Sequence, residues 1–519
     1  MYIIKKYESK TGLPKETESI CPVCLKIIPA TIYEEDKKVM YKKTCPEHGE
    51  VKDIYYGDVE LYLKFEKFAV DGIGIENPAI KSGNCPVDCG LCTIHYSHTA
   101  LANVDLTNRC NMNCPICFAN ANSAGYVYEP TFEQVVGMLQ TLRNERPMPT
   151  PAVQFAGGEP TIYPQFLEVI KKAKELNFAQ IQVATNGIRI AQEENFAQQM
   201  VDAGLNTVYL QFDGFKEETI ITTRDRPGFL KEKMVAIDRL RNTKPYPTST
   251  VLVPVIVKGV NNDEVGKIVQ FGLENIDVIR SVTYQPVSFT GRIDQDERIK
   301  GRYTEGDLVR DLIDQTGYFE KSDFYPIPIA GIFSELASQI FQSPKPAFTT
   351  HPHCGAATYV FKDNKKNKII PISKFIDVEG LVEELRPQIF YDKFDGKNKI
   401  MSALSLSRTF KKYFDPKEAP TGFKLSSILD VFNQGNRDAL ARLQWTSMFI
   451  GAMHFQDSYN YDLERLKRCD IHYAIPDGRI IPFCAYNGGP TYRTEVEKKF
   501  SISIEEYRKR HGNVIGVEG

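Results

Sequence analysis

Between residues 100 and 290 the chain alternates short β-branched, apolar runs with longer amphipathic segments. Apolar or alternating runs of about four to eight residues predict strands, and the segments between them have the periodicity of surface helices. The predicted strands are VDL near 105, AVQFAG near 154, IQVAT near 183, TVYLQFD near 209, STVLVPVIV near 253 and SVTYQPV near 284. The predicted helices begin near Thr131, Pro164, Glu193, Phe229 and Asp263.

Repeated strand–helix units of this kind build a parallel sheet with helices packed against it. Six strands predict an α/β fold with a partial (βα)6 barrel of the TIM type, because a closed TIM barrel has eight. The open side of such a barrel leaves room for a large substrate. Chemistry in these barrels lies at the carboxyl ends of the strands, so functional side chains are expected directly after each predicted strand.

Both flanks of the barrel are less regular and rich in cysteine. A chain of 519 residues with 42 % hydrophobic content is long enough to form several cores. We therefore expect three domains. They are a rubredoxin-like or zinc-ribbon-like metal knuckle at 1–80, the barrel with a preceding cysteine loop at 81–300, and a C-terminal iron–sulfur and substrate domain at 301–519.

Charge and hydropathy narrow the range of partners. The 64 basic and 66 acidic residues nearly cancel, which gives no electrostatic indication of a nucleic-acid partner. The longest apolar stretch, about Val251 to Val257, is far shorter than the ~20 residues of a membrane span, and no signal peptide follows Met1. We expect a cytoplasmic protein, for which a lipid substrate and peripheral contact with a membrane remain compatible.

Twelve cysteines favour metal or cluster ligation, because disulfides are rare in reducing compartments. They fall into four sets of three. The first set is Cys21, Cys24 and Cys45, completed by His48, in CPVC and CPEH. Two knuckles about twenty residues apart are typical of a tetrahedral metal site. Zinc there would be structural and iron would relay electrons, and the spacing slightly favours zinc.

The second and fourth sets are candidates for one or two auxiliary 4Fe-4S clusters. The second, Cys85, Cys89 and Cys92 in CPVDCGLC, favours a cubane cluster over a zinc knuckle. The cysteines of the fourth set are dispersed along the chain, so the alternative interpretation is that they are inert core residues. Its members are Cys354, Cys469 and Cys484. Candidate fourth ligands are His95 and His98 for the second set, and His353 and His472 for the fourth. The alternatives are an open iron, or a single auxiliary cluster with four cysteine ligands.

The third set is Cys110, Cys114 and Cys117 in RCNMNCPICF, directly after the first predicted strand. The CxxxCxxC spacing leaves one iron of a 4Fe-4S cluster free to chelate the amino and carboxylate groups of S-adenosylmethionine (SAM) and to pass an electron to its sulfonium. A fully ligated, ferredoxin-like cluster is the alternative, but no cysteine–proline element lies nearby to supply a fourth ligand.

Polar and small residues recur at the predicted ends of the following strands, where they would hold SAM. Glycines allow backbone carbonyls to approach the SAM ammonium, and the polar groups suit the ribose and the carboxylate. The candidate SAM-binding residues are Gly157, Gly158, Glu159, Thr185, Asn186, Gln211, Asp213 and Val257, the last in VIVKGVNN beside the adenine. Each fragment alone is ordinary turn chemistry, and their ordered recurrence supports a common site.

RCNMNCPICF, FAGGEP, ATNG and the KGVNN turn resemble the radical SAM superfamily over about residues 100 to 290. The N-terminal knuckle, CPVDCGLC and PDGRIIPFCAYN resemble, more narrowly, the archaeal tetraether lipid synthase group, formerly described as pterin methyltransferases. The superfamily resemblance implies a catalytic cluster on Cys110, Cys114 and Cys117. It also implies cleavage of SAM to methionine and a 5'-deoxyadenosyl radical that removes hydrogen from an unactivated carbon.

The narrower resemblance implies carbon–carbon bond formation between isoprenoid lipid chains, with a small electron donor such as ferredoxin or flavodoxin. FYPIPIAGIF at 324–333 is a candidate wall for such a chain, or an ordinary buried segment. Two other functions stay open: a radical SAM methyltransferase for a pterin or similar heterocycle, and a non-catalytic electron-transfer protein. A long apolar tunnel would favour the lipid, and a compact polar pocket with an aromatic shelf the heterocycle.

Overall fold

The N-terminal part forms a small antiparallel sheet. The computed structural model describes residues 3–81, 83–294, 296–390, 399–426, 428–429, 447–489, 492–512 and 516. After β1 (Ile4–Lys6), the sheet contains β2 (Lys15–Ile20), β3 (Ile27–Glu35), β4 (Lys38–Cys45) and β5 (Gly49–Tyr56) in that order. Helix α1 (Val59–Glu66) is capped by the Asp58 carboxylate, and β6 (Val70–Gly72) returns to pair with β1. The predicted knuckle domain is therefore built on four strands.

The central region shows the predicted alternation of strands and helices. In chain order its elements are β7 (Leu101–Thr107), β8 (Tyr126–Tyr128), α2 (Phe132–Arg143), β9 (Ala152–Gly157), α3 (Phe166–Glu175), β10 (Gln180–Thr185), α4 (Ile188–Gln192), α5 (Phe196–Ala203), β11 (Thr207–Gln211), α6 (Glu217–Arg224), α7 (Phe229–Arg241), β12 (Ser249–Val253), β13 (Val255–Ile256), α8 (Val265–Glu274) and β14 (Ile279–Pro286). The six predicted strands are β7, β9, β10, β11, β12 and β14, and neighbours in this order pair in parallel.

The predicted helix starts lie close to the observed ones. Thr131 is the N-cap of α2 and forms a capping box with Gln134, and α7 begins at Phe229 itself. The other three predicted starts precede α3, α5 and α8 by no more than three residues. Apolar periodicity made these starts predictable, and at α2 a side-chain cap coincides with it.

The C-terminal third continues with shorter elements. They are α9 (Arg298–Gly301), α10 (Glu305–Thr316), β15 (Tyr325–Pro326), α11 (Ile329–Phe341), β16 (Gly355–Asp363), β17 (Lys368–Pro371), α12 (Val378–Phe390), α13 (Lys399–Lys412), β18 (Met448–Met453), α14 (Leu463–Leu466), β19 (Ile471–Ala474), β20 (Ile480–Pro482), α15 (Phe483–Asn487), α16 (Tyr492–Phe500), β21 (Ser501–Ser503) and α17 (Ile504–His511). Short 3₁₀ turns lie at Pro160–Ile162, Asn262–Glu264, Lys321–Asp323 and Ile372–Lys374.

Strands from this third extend the parallel sheet at both edges. β18 pairs in parallel with β14, and β19 pairs in parallel with β7, which adds two strands to the six predicted. Antiparallel β16 and β20 lie outside them. The sequence did not reveal β18 and β19 because they are short and lack a regular helical partner. The segment predicted as a separate domain at 301–519 shares the sheet of the barrel and contributes both to its core and to a second core.

The two faces of the parallel strands differ in polarity. The face toward the helices carries fully buried apolar side chains such as Phe155, Val183 and Leu210. The alternate positions carry polar or partly exposed side chains, including Gln154 and Tyr209. This face points away from the helices and toward the inside of the partial barrel, which we call the lumen.

Several other expectations can be compared with the fold. All twelve cysteines are free thiols, as expected for ligand candidates. The FYPIPIAGIF segment contributes Phe324 to the main core and Tyr325 and Ile332 to a second core. These contacts fit the alternative of an ordinary buried segment. Across the part of the chain that the structure describes, no helix combines the length and apolarity needed to cross a bilayer.

Candidate functional site

The loop after β7 brings Cys110, Cys114 and Cys117 together. Burial raises the pKa of the Cys110 thiol, and the nearby Glu159, Cys114 and Cys117 raise it further. Burial also raises the pKa of Cys114, against the lowering effect of the Arg224 guanidinium. Three neighbouring thiols with a cation beside them suit an iron–sulfur cluster, because the guanidinium offsets the negative charge of thiolate ligands.

Side chains from outside the loop fix its shape. The Asn122 amide accepts a hydrogen bond from Cys110 N (2.8 Å) and donates to Cys110 O (2.9 Å) and Met112 O (3.2 Å). Arg292 donates through its backbone N to Cys117 O (3.1 Å) and through its side chain to Cys114 O (3.1 Å). The loop therefore has its backbone groups paired on both sides.

The two glycines after β9 allow this strand end to pack directly on the cysteine loop. Gly158 N donates to Thr107 O (2.7 Å), and Glu159 N donates to Arg109 O (2.9 Å). A Cβ on Gly158 would lie 2.1 Å from Arg109 O, and Gly157 has a φ of +130°. Only glycine fits both positions, so GG here serves close backbone approach.

The Glu159 carboxylate is buried and fully engaged by protein donors. It accepts from Thr161 N (3.1 Å), Thr185 Oγ1 (2.7 Å) and Asn186 N (2.9 Å). These contacts join the ends of β9 and β10. Glu159 and Thr185 therefore hold the strand ends together, in addition to any contact of their backbone with a ligand.

Asn186 connects the end of β10 to the cysteine loop. Its amide donates to Asn111 Oδ1 (2.6 Å), while its backbone carbonyl accepts from Lys233 Nζ. Lys233 is 3 % exposed, and burial lowers its pKa to about 7. Lys233 lies on the apolar face of α7 with Phe229 and Ile237, and it was not among the predicted site residues.

Asp213, just beyond β11, forms a buried ion pair with Arg224 of α6. The carboxylate also accepts from Gln211 Nε2 (2.7 Å) and Val255 N (3.0 Å). Arg224 donates to Asp213 Oδ1 (3.0 Å) and to Ile116 O in the cysteine loop (3.0 Å). This pair ties three strand ends to the loop, and Arg224 was not among the predicted site residues.

Val257 lies where the KGVNN turn closes on β13. Its backbone N donates to Asn261 Oδ1 (2.9 Å), and the buried Asn261 amide donates to Asp213 O (2.9 Å). Val257 packs with Val287, Phe289 and the partly buried Ile116. The turn therefore presents an apolar surface next to the cysteine loop.

A cavity of about 260 Å³ opens beside these residues. Its lining consists of Cys110, Asn111, Met112, Asn113, Asn122, Arg224, Asp225, Arg226 and Gly516. It combines a thiol, amides and two guanidinium groups. Such a lining suits a ligand with carboxylate and amino groups beside a cluster, which is the chemistry of SAM.

The lumen inside the barrel is lined by side-chain amides. Gln154 Nε2 donates to Asn103 Oδ1 (2.7 Å), and Gln182 Nε2 donates to Gln154 Oε1 (3.0 Å). Asn103 Nδ2 and Gln211 Oε1 are buried and without a hydrogen-bond partner among the described residues. Buried polar groups are normally paired. The unpaired donor and the unpaired acceptor in this row of amides therefore indicate that a polar ligand binds here.

The N-terminal knuckle has the geometry of a tetrahedral metal site. Cys21, Cys24, Cys45 and His48 place their ligand atoms within 4.8 Å of one another. Cys24 Sγ lies 3.9 Å from Cys45 Sγ, and His48 Nδ1 lies 3.5 Å from Cys45 Sγ. These separations fit four ligands around one ion, with metal–sulfur bonds of about 2.3 Å and metal–nitrogen bonds of about 2.0 Å.

We expect Cys24→Ala to lose the knuckle metal and to lower the free energy of unfolding by about 3 kcal/mol or more, because metal binding energy is folding energy at such sites. Elemental analysis and thermal unfolding measure both effects. Lys26→Ala is the matched control, since Lys26 forms only an exposed ion pair with Glu47 beside the knuckle. Unchanged metal content in Cys24→Ala would contradict the assignment.

The second and fourth cysteine sets lie close to each other. Cys85, Cys89, Cys469 and Cys484 belong to one apolar cluster around Tyr461. Burial raises the pKa of Cys89, with further contributions from Cys85 and Cys92. Burial likewise raises the pKa of Cys469, with contributions from Cys484 and, more weakly, Cys354. Each predicted set is therefore a group of neighbouring buried thiols, which suits cluster ligation.

The four histidines considered as fourth ligands all have hydrogen-bonding contacts. The Nε2 atoms of His95 and His472 lie 2.7 and 2.8 Å from Cys469 O. His98 Nε2 accepts from Ala347 N (3.3 Å), and His353 Nε2 lies 3.0 Å from Tyr62 O. His454, just after β18, was missed although it follows a strand end. Both of its ring nitrogens are buried without a partner among the described residues.

Comparison with known proteins gives two family matches. Residues 104–272 match the model described as Radical SAM superfamily, and residues 13–57 match the model described as HMPTM N-terminal zinc ribbon domain. The first match spans β7 to α8, and the second spans the knuckle. The two matches coincide with the barrel and with the four-stranded sheet.

Among curated proteins, the chain is 47 % identical over 507 residues to the 7,8-dihydro-6-hydroxymethylpterin dimethyltransferase of Methanocaldococcus jannaschii, which covers 96 % of this chain and 98 % of that protein. It is 28 % identical over 237 residues to the GTP 3',8-cyclase of Chlorobaculum tepidum, covering 43 % of this chain and 66 % of that protein. Among solved structures, SuiB of Streptococcus suis bound to S-adenosylmethionine has a TM-score of 0.32 at 16 % identity, over 43 % of this chain and 49 % of that one.

Proposed function

Because the chain belongs to the radical SAM family that includes the 7,8-dihydro-6-hydroxymethylpterin dimethyltransferase of Methanocaldococcus jannaschii, we propose that it methylates a carbon of a pterin-like heterocycle. The chain is a radical SAM enzyme, and its family implies a 4Fe-4S cluster and SAM. The substrate and the transferred group are the proposed part.

The single observation that carries the proposal is the row of amides in the lumen. Asn103, Gln154 and Gln182 are linked by hydrogen bonds across three adjacent strands, and Asn103 Nδ2 stays open. A pterin edge alternates hydrogen-bond donors and acceptors, which such amides can match. An isoprenoid chain would leave these buried groups unpaired at a cost of about 1–3 kcal/mol each.

Aromatic side chains add a surface for a flat ring. Tyr209 lies on the inner face of β11, and Tyr359 and Phe449 lie opposite each other on β16 and β18 with ring centroids 5.2 Å apart. Tyr359 is 37 % exposed although its strand has neighbours on both sides. A polar lumen with aromatic surfaces supports a heterocycle over a long apolar chain.

The proposal assigns the residues of this chain three tasks. Cys110, Cys114 and Cys117 hold the cluster, which supplies one electron to SAM when bound. The amino and carboxylate groups of SAM are oriented by backbone groups of Gly157, Gly158 and Asn186, together with Arg224. Gln211, whose Oε1 has no partner among the described residues and whose amide is oriented by Asp213, accepts from the ribose, and Val257 covers the adenine.

The proposed methylation has a defined balance. One SAM gives methionine and 5'-deoxyadenosine, which carries away the substrate hydrogen. A second SAM gives its methyl group and leaves S-adenosylhomocysteine. The sum uses two SAM and two electrons from an external donor, for which a small ferredoxin or flavodoxin is suited, for each C–H bond replaced by C–CH₃.

A second candidate is carbon–carbon bond formation between lipid chains, with peripheral contact at a membrane. It is favoured by an apolar row beside the cysteine loop, where Phe118, 37 % exposed, lies 5.7 Å from the Phe483 ring and Phe483 stacks on Phe455 at 3.8 Å. Joining two C–H carbons uses two SAM and two electrons, and yields two 5'-deoxyadenosine and two methionine.

The by-products distinguish the two candidates. Anaerobic, reconstituted protein is incubated with dithionite, SAM and either 7,8-dihydro-6-hydroxymethylpterin or an archaeal ether lipid, and nucleosides are quantified by mass spectrometry. Methylation predicts equal amounts of S-adenosylhomocysteine and 5'-deoxyadenosine with the pterin. Formation of 5'-deoxyadenosine alone, with a lipid that has lost two hydrogens per bond, would favour the second candidate and contradict the first.

Gln154→Leu tests the lumen. We expect KM for the pterin to rise about 10- to 100-fold, because an apolar side chain leaves polar groups of Asn103, Gln182 and the ligand unpaired. Steady-state kinetics measures it. Gln140→Leu, on the exposed surface of α2, is the matched control. Equal KM values in the two variants would count against a substrate in the lumen.

A further inference from the structure

The strand register places His454 next to Cys354. Gly355 of β16 pairs with Met453 of β18, so Cys354 and His454 are the next opposite pair. His454 N donates to Cys354 O (3.1 Å), which confirms that the two residues face each other. Opposite residues of antiparallel strands project to the same side, with Cβ atoms about 4.5–5.5 Å apart. The imidazole and the thiol therefore share one side of the sheet.

The His454 imidazole has no hydrogen-bond partner among the described residues. It is 1 % exposed, and both of its ring nitrogens are buried. A neutral, buried imidazole with free nitrogens is the form that ligates metals.

The positive charge of Arg465 beside Cys354 favours an anionic group at this site. Arg465 is 1 % exposed and donates to Cys354 Sγ (3.2 Å) and to His454 O. The Glu305 carboxylate is also buried near Arg465 and can supply one counter-charge. Thiolates bound to iron would supply further negative charge beside the guanidinium, whereas neutral thiols would not.

Cys484 Sγ contacts the segment of chain that carries the His454 imidazole. Gln456 N, two residues after His454, donates to Cys484 Sγ (3.3 Å). Residues 454–456 thus pass between two members of the fourth cysteine set. Three cysteines and one imidazole make a complete set of four ligands, as in clusters in which histidine replaces cysteine.

We propose that His454 is the fourth ligand of an iron–sulfur cluster held by Cys354, Cys469 and Cys484. The inference rests on the proposed function only in needing an auxiliary cluster, and not on which substrate is methylated. A neutral imidazole in place of a thiolate raises the reduction potential of a cluster. The fourth set would then accept electrons more readily than an all-cysteine cluster.

The test uses the reconstituted full chain without substrate, labelled with ¹⁵N-histidine. Pulsed EPR of the reduced protein is expected to show a ¹⁵N coupling typical of an iron-bound imidazole, which disappears in His454→Ala. His454→Cys is expected to retain all iron and sulfide, to lose the ¹⁵N coupling and to lower the midpoint potential of one cluster. These readouts do not depend on turnover, so they are separate from the methylation assay.

His353→Gln is the matched control, because His353 is buried beside the same cysteine but has its Nε2 near Tyr62 O. It is expected to retain the ¹⁵N coupling. If the coupling is absent from the wild type, or persists in His454→Ala, the proposal is overturned. Iron content is also compared in Glu305→Gln and His454→Cys. The proposal is overturned if the buried Glu305, and not His454, proves necessary for full iron content.

Discussion

Replacing Cys114 by alanine is expected to reduce SAM cleavage to background, a fall of at least about 10³-fold, or roughly 4 kcal/mol in activation free energy. Cys114 lies beside Cys117 and the Arg224 guanidinium, so its loss removes one of three thiolates, while Arg224 keeps its ion pair with Asp213. Two thiolates do not retain a cubane with one open iron. Formation of 5'-deoxyadenosine by anaerobic protein with dithionite measures the effect.

The knuckle supplies the control for Cys114→Ala. Metal bound by Cys21, Cys24, Cys45 and His48 should stay at wild-type content, because those ligands form a separate group. Iron and sulfide should fall by the content of one cluster. SAM cleavage at the wild-type rate in this variant would place the SAM-binding cluster on another cysteine set.

The second large effect is expected for Arg224→Leu, which should destabilise the protein by about 3–5 kcal/mol. The change leaves the Asp213 carboxylate, 3 % exposed, as an uncompensated buried charge. It also removes the hydrogen bond to Ile116 O, so SAM affinity should fall with stability. The midpoint of urea unfolding and equilibrium binding of SAM measure the two effects.

Arg226→Leu is the matched control for the stability effect of Arg224→Leu, but not for SAM binding, because Arg226 lines the same cavity. Arg226 lies two residues further on and pairs with Glu232, but its side chain is 34 % exposed. Such half-exposed pairs contribute about 0–1 kcal/mol. If both leucine variants lost the same stability, the buried ion pair would not have the structural importance that its contacts indicate.

The sequence predicted the parallel strands well because β-branched runs and strand-end polar residues coincide there. Gly157 and Gly158 were predicted to let backbone carbonyls approach the SAM ammonium, which stays a prediction, and the structure shows their close approach to the backbone of the cysteine loop. For Glu159 the sequence indicated only that a carboxylate lies after β9. Its engagement by Thr185 and Asn186 depends on the register of β9 and β10, which no local pattern encodes.

The residues that the sequence missed are charged or amide side chains buried by tertiary contacts. Arg224 and Lys233 lie on the same helix faces as the apolar Ile220 and Phe229, and Asn122 lies in a loop. The helical pattern places the two charged residues toward the core but does not identify their partners. Their partners are 11 to 108 residues away in the chain. The polar lumen was more accessible to prediction, because three successive strands carry a glutamine between apolar residues.

The pairing of β19 with β7 has a consequence for how the protein is made. Ile471 lies beside Leu101, so one edge of the barrel stays unpaired until most of the chain has left the ribosome. The other edge, at β14, likewise stays unpaired until β18 has been synthesised. Contacts between such distant residues form slowly, and bare strand edges associate with other chains in the meantime. Chains that end before residue 447 should therefore aggregate, because both edges of the parallel sheet stay unpaired.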